Sequence, residues 1–178
     1  GRRVLGENEP GTYAEYIRVP AQNCFPIPAE ISFAEAAALP SAHLSAWRML
    51  ITLAKLKPGN HVLVRAIGAG VENAAMQIAI QYGCHVIVTS DVETKLKRAV
   101  ELGAEHGIDD RHGDLAQEVR NLTAKRGVDV VVDCIGGDGW ATSLACLARG
   151  GCLVTAAAMA GTQPRTDLRR IFWNHLRI

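Results

Sequence analysis

The sequence predicts a doubly wound α/β fold on a parallel sheet, and three observations carry that reading. From about residue 60 to residue 156, short β-branched runs alternate with segments of helical periodicity at short loop spacing, a pattern that calls for parallel strands joined by right-handed crossovers. The run Val-Asp-Val-Val-Val-Asp-Cys, Val128 to Cys134, is apolar on both faces, as a strand in the middle of such a sheet must be. Finally, the apolar run His61 to Val64 turns through Gly68 and Gly70 into a helical segment with Val71, Ala74, Ala75, Ile78 and Ala79 on one face. A strand, a tight glycine turn and a helix N-terminus in that order present free N–H donors and the positive end of the helix dipole, a place for an anion.

Taken in order, Gly1 to Pro10 is polar and without apolar period, and reads as a loop. Tyr13 to Val19 is a strand candidate, and Asn23 to Ile27 a second, closed by Pro26 and Pro28, which cannot donate to a ladder. Two short strands cannot cover their own faces, so they need another domain or subunit. Ser32 with Glu35 is a capping-box pattern opening a helix over Phe33 to Leu39 that stops before Pro40. Ser41 to Leu56 carries Leu44, Trp47, Leu50 and Leu53 at helical recurrence and ends at Lys57-Pro58-Gly59. It is expected to be one long helix leading into the central strand.

Beyond the helix Val71 to Tyr82, strands are expected at His85–Thr89, His106–Ile108, Val128–Cys134 and Cys152–Ala156. Helices are expected at Glu93–Leu102, Asp114–Ala124, Trp140–Leu147 and Leu168–Trp173. Leu176 to Ile178 reads as the first residues of one more strand.

With 178 residues and 48% hydrophobic content the chain can bury a sizeable core. A net charge of +1, spread along the chain, gives no reason for nucleic acid or an anionic membrane as partner. Five cysteines make an odd set, and no pair has C-x-x-C spacing, so neither a disulfide framework nor a zinc knuckle is indicated. Four of them (Cys84, Cys134, Cys146, Cys152) sit in apolar runs and are expected to pack as small hydrophobes. No stretch approaches about 18 uninterrupted apolar residues, and no basic-then-apolar leader is present. A soluble, cytoplasmic protein is the expectation.

The glycines match a dinucleotide fingerprint only in part. G-x-G-x-x-G wants a third glycine where helix and strand pack closest. That place falls on Asn73 reading from Gly68, and on Glu72 reading G-V-G from Gly70.

Several longer runs do more. G-T-Y-A-E-Y-I-R-V-P-A-Q-N, F-A-E-A-A-A-L-P, A-W-R-M-L, L-K-P-G-N-H-V-L-V, A-A-M-Q-I-A, K-L-K-R-A-V-E-L-G-A, G-V-D-V-V-V-D and L-A-R-G-G-C-L-V-T together resemble the medium-chain dehydrogenase/reductase superfamily. The closest branch looks like zinc-type alcohol dehydrogenases and quinone reductases. The likeness covers nearly the whole chain, in the family's order. It implies a Rossmann cofactor domain, strand order 3-2-1-4-5-6, over residues 40–178 with its last strand truncated. Residues 1–39 would be the C-terminal remnant of a GroES-like catalytic domain, and the chain a fragment expected not to turn over substrate by itself. The implied partners are a nicotinamide dinucleotide, NAD(P)(H), a small alcohol, carbonyl or quinone substrate in the full-length parent, and a second copy in a homodimer.

By that resemblance, Gly68, Ala69, Gly70 and Val71 contact the cofactor diphosphate. Ser90 and Lys95 resemble branches that accept a 2′-phosphate, whereas the neighbouring Asp91 argues for a free ribose diol or caps the following helix, which leaves NAD against NADP open. Ser45, Cys134, Ile135, Gly136, Ala157, Ala158 and Met159 fall on the nicotinamide side. Ser41 occupies the place of a zinc-ligating cysteine and is a poor ligand, while other ligands would lie upstream of Gly1, so no zinc is expected here. No catalytic residue is assigned: His43 lies near the cleft by likeness alone, and His61, His85, His106, His112 and His175 show no paired spacing.

Three positions depart from the family pattern. Ala66 stands where a glycine is frequent, Asn73 where the fingerprint has its third glycine, and Glu72 brings a carboxylate beside a doubly charged diphosphate. Two unit charges about 5 Å apart in an effective dielectric near 20 repel by roughly 3 kcal/mol, about a hundredfold in affinity. The alternative is that Glu72 points to water and gains about 0.3 to 1 kcal/mol from the helix N-terminus. Two rival readings follow: a Rossmann-like domain that has lost nucleotide binding and serves assembly, and, more remotely, a methyltransferase with a similar sheet.

Overall fold

The structure, a computed structural model, describes residues 3–6, 11–111 and 113–178. Its centre is a five-stranded, all-parallel sheet of β3 (His61–Val64), β4 (His85–Ser90), β5 (His106–Asp109), β6 (Val128–Val132) and β7 (Leu147–Val154), in the order β5-β4-β3-β6-β7. That is the doubly wound order 3-2-1-4-5. Alternation along each strand divides the interior in two. Val62, Val64, Val86, Val88, Val130 and Val132 pack on one face, and Leu63, Ile87, Val131 and Leu153 on the other. Burying each such side chain contributes about 1.5–3 kcal/mol, so a one-residue register slip would exchange two complete cores.

The first face is covered by α2 (Pro40–Trp47), α3 (Gly70–Gln81) and α4 (Glu93–Glu101), the second by α5 (Leu115–Leu122) and α6 (Trp140–Cys146). The capping box opening α1 (Phe33–Ala38) forms as expected: Glu35 N–H donates to Ser32 Oγ at 3.2 Å and Ser32 N–H to Glu35 Oε2 at 2.8 Å. A second sheet of two short antiparallel strands, β1 (Val4–Gly6) and β2 (Cys24–Pro26), stands apart from the first. After α7 (Leu168–Trp173), Arg177 runs parallel beside β7, its N–H donating to Gly151 C=O at 3.0 Å.

Several elements differ from the sequence reading. Val4–Gly6 is a strand within the segment expected to be a loop; residues 1, 2 and 7–10 of that segment lie outside the described residues. Tyr13 to Val19 forms no strand. Its strand-forming residues do not alternate cleanly between faces; β2 pairs with β1 instead, and Tyr13 and Tyr16 remain almost fully exposed. Pro40 does not end the helical path: Leu39 stays in right-handed helical geometry and Pro40 becomes the first residue of α2, where its missing N–H costs nothing. The long helix expected to Leu56 widens at Arg48–Leu53 into a π-helical turn, with Ala54 N–H bonded to Met49 C=O at 2.9 Å; Met49 and Leu50 within it are buried in the core. β7 begins five residues earlier than expected, because an irregularity opposite Val128–Val130 lets Leu147 pair before Gly150-Gly151.

Candidate cofactor site

The carboxyl ends of β3, β6 and β7 meet the N-terminus of α3 at a cavity of about 320 Å³. Ala69, Gly70, Val71 and Glu72 form one wall, Cys134, Ala156, Ala157 and Met159 a second, and Ala38, Ser41 and Ala42 a third. The second wall is held together by its backbone. Met159 N–H donates to Cys134 C=O at 3.2 Å, Ala160 N–H to Ile135 C=O at 2.7 Å, and Gly137 N–H to Gly161 C=O at 3.0 Å, so the loops after β6 and β7 close on each other. Asp133, fully buried, fixes the turn: its Oδ1 accepts from Ile135 N–H at 2.7 Å and Gly136 N–H at 3.0 Å, while Oδ2 has no partner.

The β3–α3 turn leaves backbone donors unclaimed by any side-chain cap. Ala69, the N-cap, has no side chain that can cap the helix, and the first helical bond runs from Asn73 N–H to Ala69 C=O at 3.1 Å, so the Gly70, Val71 and Glu72 amides precede the ladder. Gly68 adopts φ +129°, and a Cβ there would stand 2.7 Å from Lys95 Cδ and 3.0 Å from Nζ. Glycine thus lets the lysine chain lie across the turn and brings its ammonium to the same place. Gly70 has a packing role: a Cβ would come 3.3 Å from that of Ala42, between α2 and α3. A smaller cavity of about 190 Å³ adjoins the turn, with Gly68, Asn73, Lys95 and Arg98 in its lining. Main-chain amides and a cation at one glycine turn fit a diphosphate-bearing dinucleotide.

The predicted residues therefore divide. Ala69, Gly70, Val71, Cys134 and Ala157 line the first cavity, as does Met159, and Gly68 and Lys95 line the second. Ser45, Ser90, Ile135, Gly136 and Ala158 line neither. Ser90 is buried, with its Oγ accepting from Val92 N–H at 3.1 Å. Asp91 does not cap α4, whose N-cap is Val92. His43 lies outside the cavity lining, its Nδ1 3.2 Å from Leu39 C=O. His61 and His85, without paired spacing in the sequence, are set opposite each other by the parallel register, and their rings stack with centroids 4.7 Å apart. His112 lies outside the described residues.

Glu72 does not point to water. It is 2% exposed and lines the cavity beside the Cys134 thiol. Burial first, with the Glu72 carboxylate and Asp133 adding to it, pushes that thiol up to about 11, so Cys134 stays protonated at neutral pH and is no nucleophile.

One feature escaped the sequence reading. Arg65, buried just past β3, donates to Ser143 Oγ at 2.8 Å and Gly139 C=O at 3.3 Å and pairs with Asp110 at 3.4 Å. Asp110 accepts from the Thr89 hydroxyl at 2.8 Å, and Thr89 Oγ1 accepts from Ala66 N–H at 3.1 Å. This network ties the ends of β3, β4 and β5 to α6. Its signal in the sequence is a lone cation directly after the apolar run of β3. Among the described residues, no group of three or more His, Cys, Asp or Glu side chains is placed to hold a metal, and no helix is long and apolar enough to cross a membrane.

A parallel sheet wound in this order, with a glycine turn and uncapped helix amides at its switch point, defines a Rossmann-type nucleotide-binding fold. The chain belongs to the zinc-binding dehydrogenase family, whose model matches residues 70–178. It is 40% identical to an NAD-dependent alcohol dehydrogenase of known structure, at a TM-score of 0.85 over 94% of this chain and 49% of that one. A mycobacterial protein solved with NADPH superposes at a TM-score of 0.90, with 31% identity, over 99% of this chain and 55% of that one. Among relatives, a phenolphthiocerol/phthiocerol polyketide synthase of Mycobacterium tuberculosis is 34% identical over 85% of this chain and 7% of its own length. The chain thus spans about half of the solved relatives and a small part of that synthase.

Proposed function

We propose that this chain is the cofactor-binding portion of an NAD(P)-dependent oxidoreductase that moves hydride between nicotinamide and a small alcohol, carbonyl or quinone. The observation that carries the reading is the β3–α3 turn, where uncapped amides and Lys95 converge on one glycine. The diphosphate would rest on the Gly70 to Glu72 amides. Lys95 would approach an anionic group beside Gly68, and the nicotinamide end would enter the cavity between Val71, Cys134 and Ala157. Bound there, the nicotinamide supplies or accepts the hydride. The chain's own part is to orient the ring against apolar walls and keep water from it. Residues 1–39 belong in this reading to a GroES-like catalytic domain and residues 40–178 to the cofactor domain. The edge at β7, with Leu168, Phe172, Trp173 and Ile178 exposed, is the face for a second copy.

The buried Glu72 carboxylate favours a second reading, a Rossmann domain that no longer binds nucleotide and serves assembly. Calorimetry and saturation-transfer NMR with NADH and NADPH separate the two. Saturable binding of either coenzyme supports the first, and no binding at millimolar coenzyme leaves the second.

A further inference from the structure

Glu72 is an odd residue to find at the front of this cavity. A carboxylate that is 2% exposed has given up most of its water, and none of the described residues lining the cavity is cationic. The neighbour beside it is neutral: burial holds the Cys134 thiol protonated. The remaining walls, Ala38, Ala42, Val71, Ala156 and Ala157 among them, carry no charge. Such a pocket suits a flat organic cation, which brings charge to the carboxylate and apolar faces to the alanines and valine.

A nicotinamide ring is that cation in one of its two redox states. The oxidised ring is a pyridinium, and the reduced ring is neutral. We infer that Glu72 makes this site discriminate between the redox states of its coenzyme, holding the oxidised form in preference to the reduced one. The inference rests on the dinucleotide reading above. It also gives the carboxylate two opposite effects on one ligand: repulsion of the diphosphate, felt equally by both redox forms, and attraction of the pyridinium, felt by one. For charges about 6 to 8 Å apart in an effective dielectric near 20, the unscreened attraction corresponds to a preference of roughly thirtyfold to a hundredfold. A tenfold preference lowers the potential of a bound two-electron couple by about 30 mV, which makes the bound reduced coenzyme a stronger hydride donor.

The two effects separate in a ratio of affinities. Dissociation constants for NAD⁺, NADH, NADP⁺ and NADPH are measured by calorimetry on the wild-type chain, on Glu72→Gln, which keeps the shape, and on Glu72→Ser, which removes most of the side chain. Thermal melts of each confirm a folded domain. Expected is a fall of at least fivefold, in both variants, in the ratio of reduced-form to oxidised-form dissociation constants. Affinities that rise equally for both redox forms, with the ratio unchanged, overturn the inference and confine the charge to the diphosphate. Failure of all three proteins to bind any coenzyme removes the dinucleotide reading on which the inference stands.

Discussion

Replacing Asp133 by alanine should unlatch the turn that forms one wall of the cavity. The Asp133 carboxylate is fully buried and accepts from two consecutive amides, Ile135 N–H at 2.7 Å and Gly136 N–H at 3.0 Å. A hydrogen bond to a charged group contributes about 1.5–3 kcal/mol, and a buried amide left without a partner bears its full desolvation penalty. The second oxygen, Oδ2, is buried without a partner, so part of that gain already offsets the burial of charge. About 3 kcal/mol is therefore the expected loss, near the low end for two bonds. In a chain of 178 residues that corresponds to a melting temperature lower by roughly 6–12 °C. Urea denaturation of the wild type, Asp133→Ala and Asp133→Asn measures it. The asparagine keeps an acceptor oxygen for both amides and removes the unpaired charge but leaves its NH2 group without a partner, so it should lose clearly less than the alanine variant, within about 2 kcal/mol of wild type. An alanine variant that loses less than about 1 kcal/mol, or an asparagine variant as damaged as the alanine one, would refute the assignment.

Two further outcomes follow from the backbone and from titration. Ala66 holds φ +52°, a left-handed conformation that costs a residue with a Cβ roughly 1–2 kcal/mol, while glycine adds about 0.4–1 kcal/mol of unfolded-state entropy; Ala66→Gly should leave stability unchanged or raise it by up to about 1 kcal/mol, and a clear loss in urea would contradict the strain. Desolvation, helped by the His85 and Arg126 charges, holds the His61 imidazole below its ordinary value. A histidine depressed in the folded state binds its proton more readily when unfolded, so its contribution is complete above about pH 6.5 and is lost as pH falls through the folded value. The urea midpoint should therefore drop between pH 7.5 and 5.5, and by less in His61→Gln; an equal drop in both would assign the acid sensitivity elsewhere.

The sheet and its winding were legible because period-2 and period-3.6 patterns are properties of consecutive residues. Val62 to Val64, Val86 to Val88 and Val130 to Val132 announce strands buried on both faces wherever they sit. The capping box at Ser32 and the glycine turn at Gly68 are equally local, and each formed where its spelling placed it. The N-terminal strands were not legible, because pairing depends on which edge is available: Tyr13 to Val19 is rich in strand-forming residues and forms no strand, whereas the three residues Val4 to Gly6 pair with β2.

The candidate site divides along the same line. From sequence alone come the glycine turn and the free amides that follow it, since amide donors at a helix N-terminus need only the chain around them. Tertiary structure alone decided where the charged side chains went. Glu72 turns inward to the Cys134 thiol, Lys95 crosses Gly68 from the next helix, and Arg65 reaches Ser143 across 78 residues of chain. The destination of a long polar side chain is set by the partners and the desolvation it meets after packing, and those belong to segments distant in the sequence.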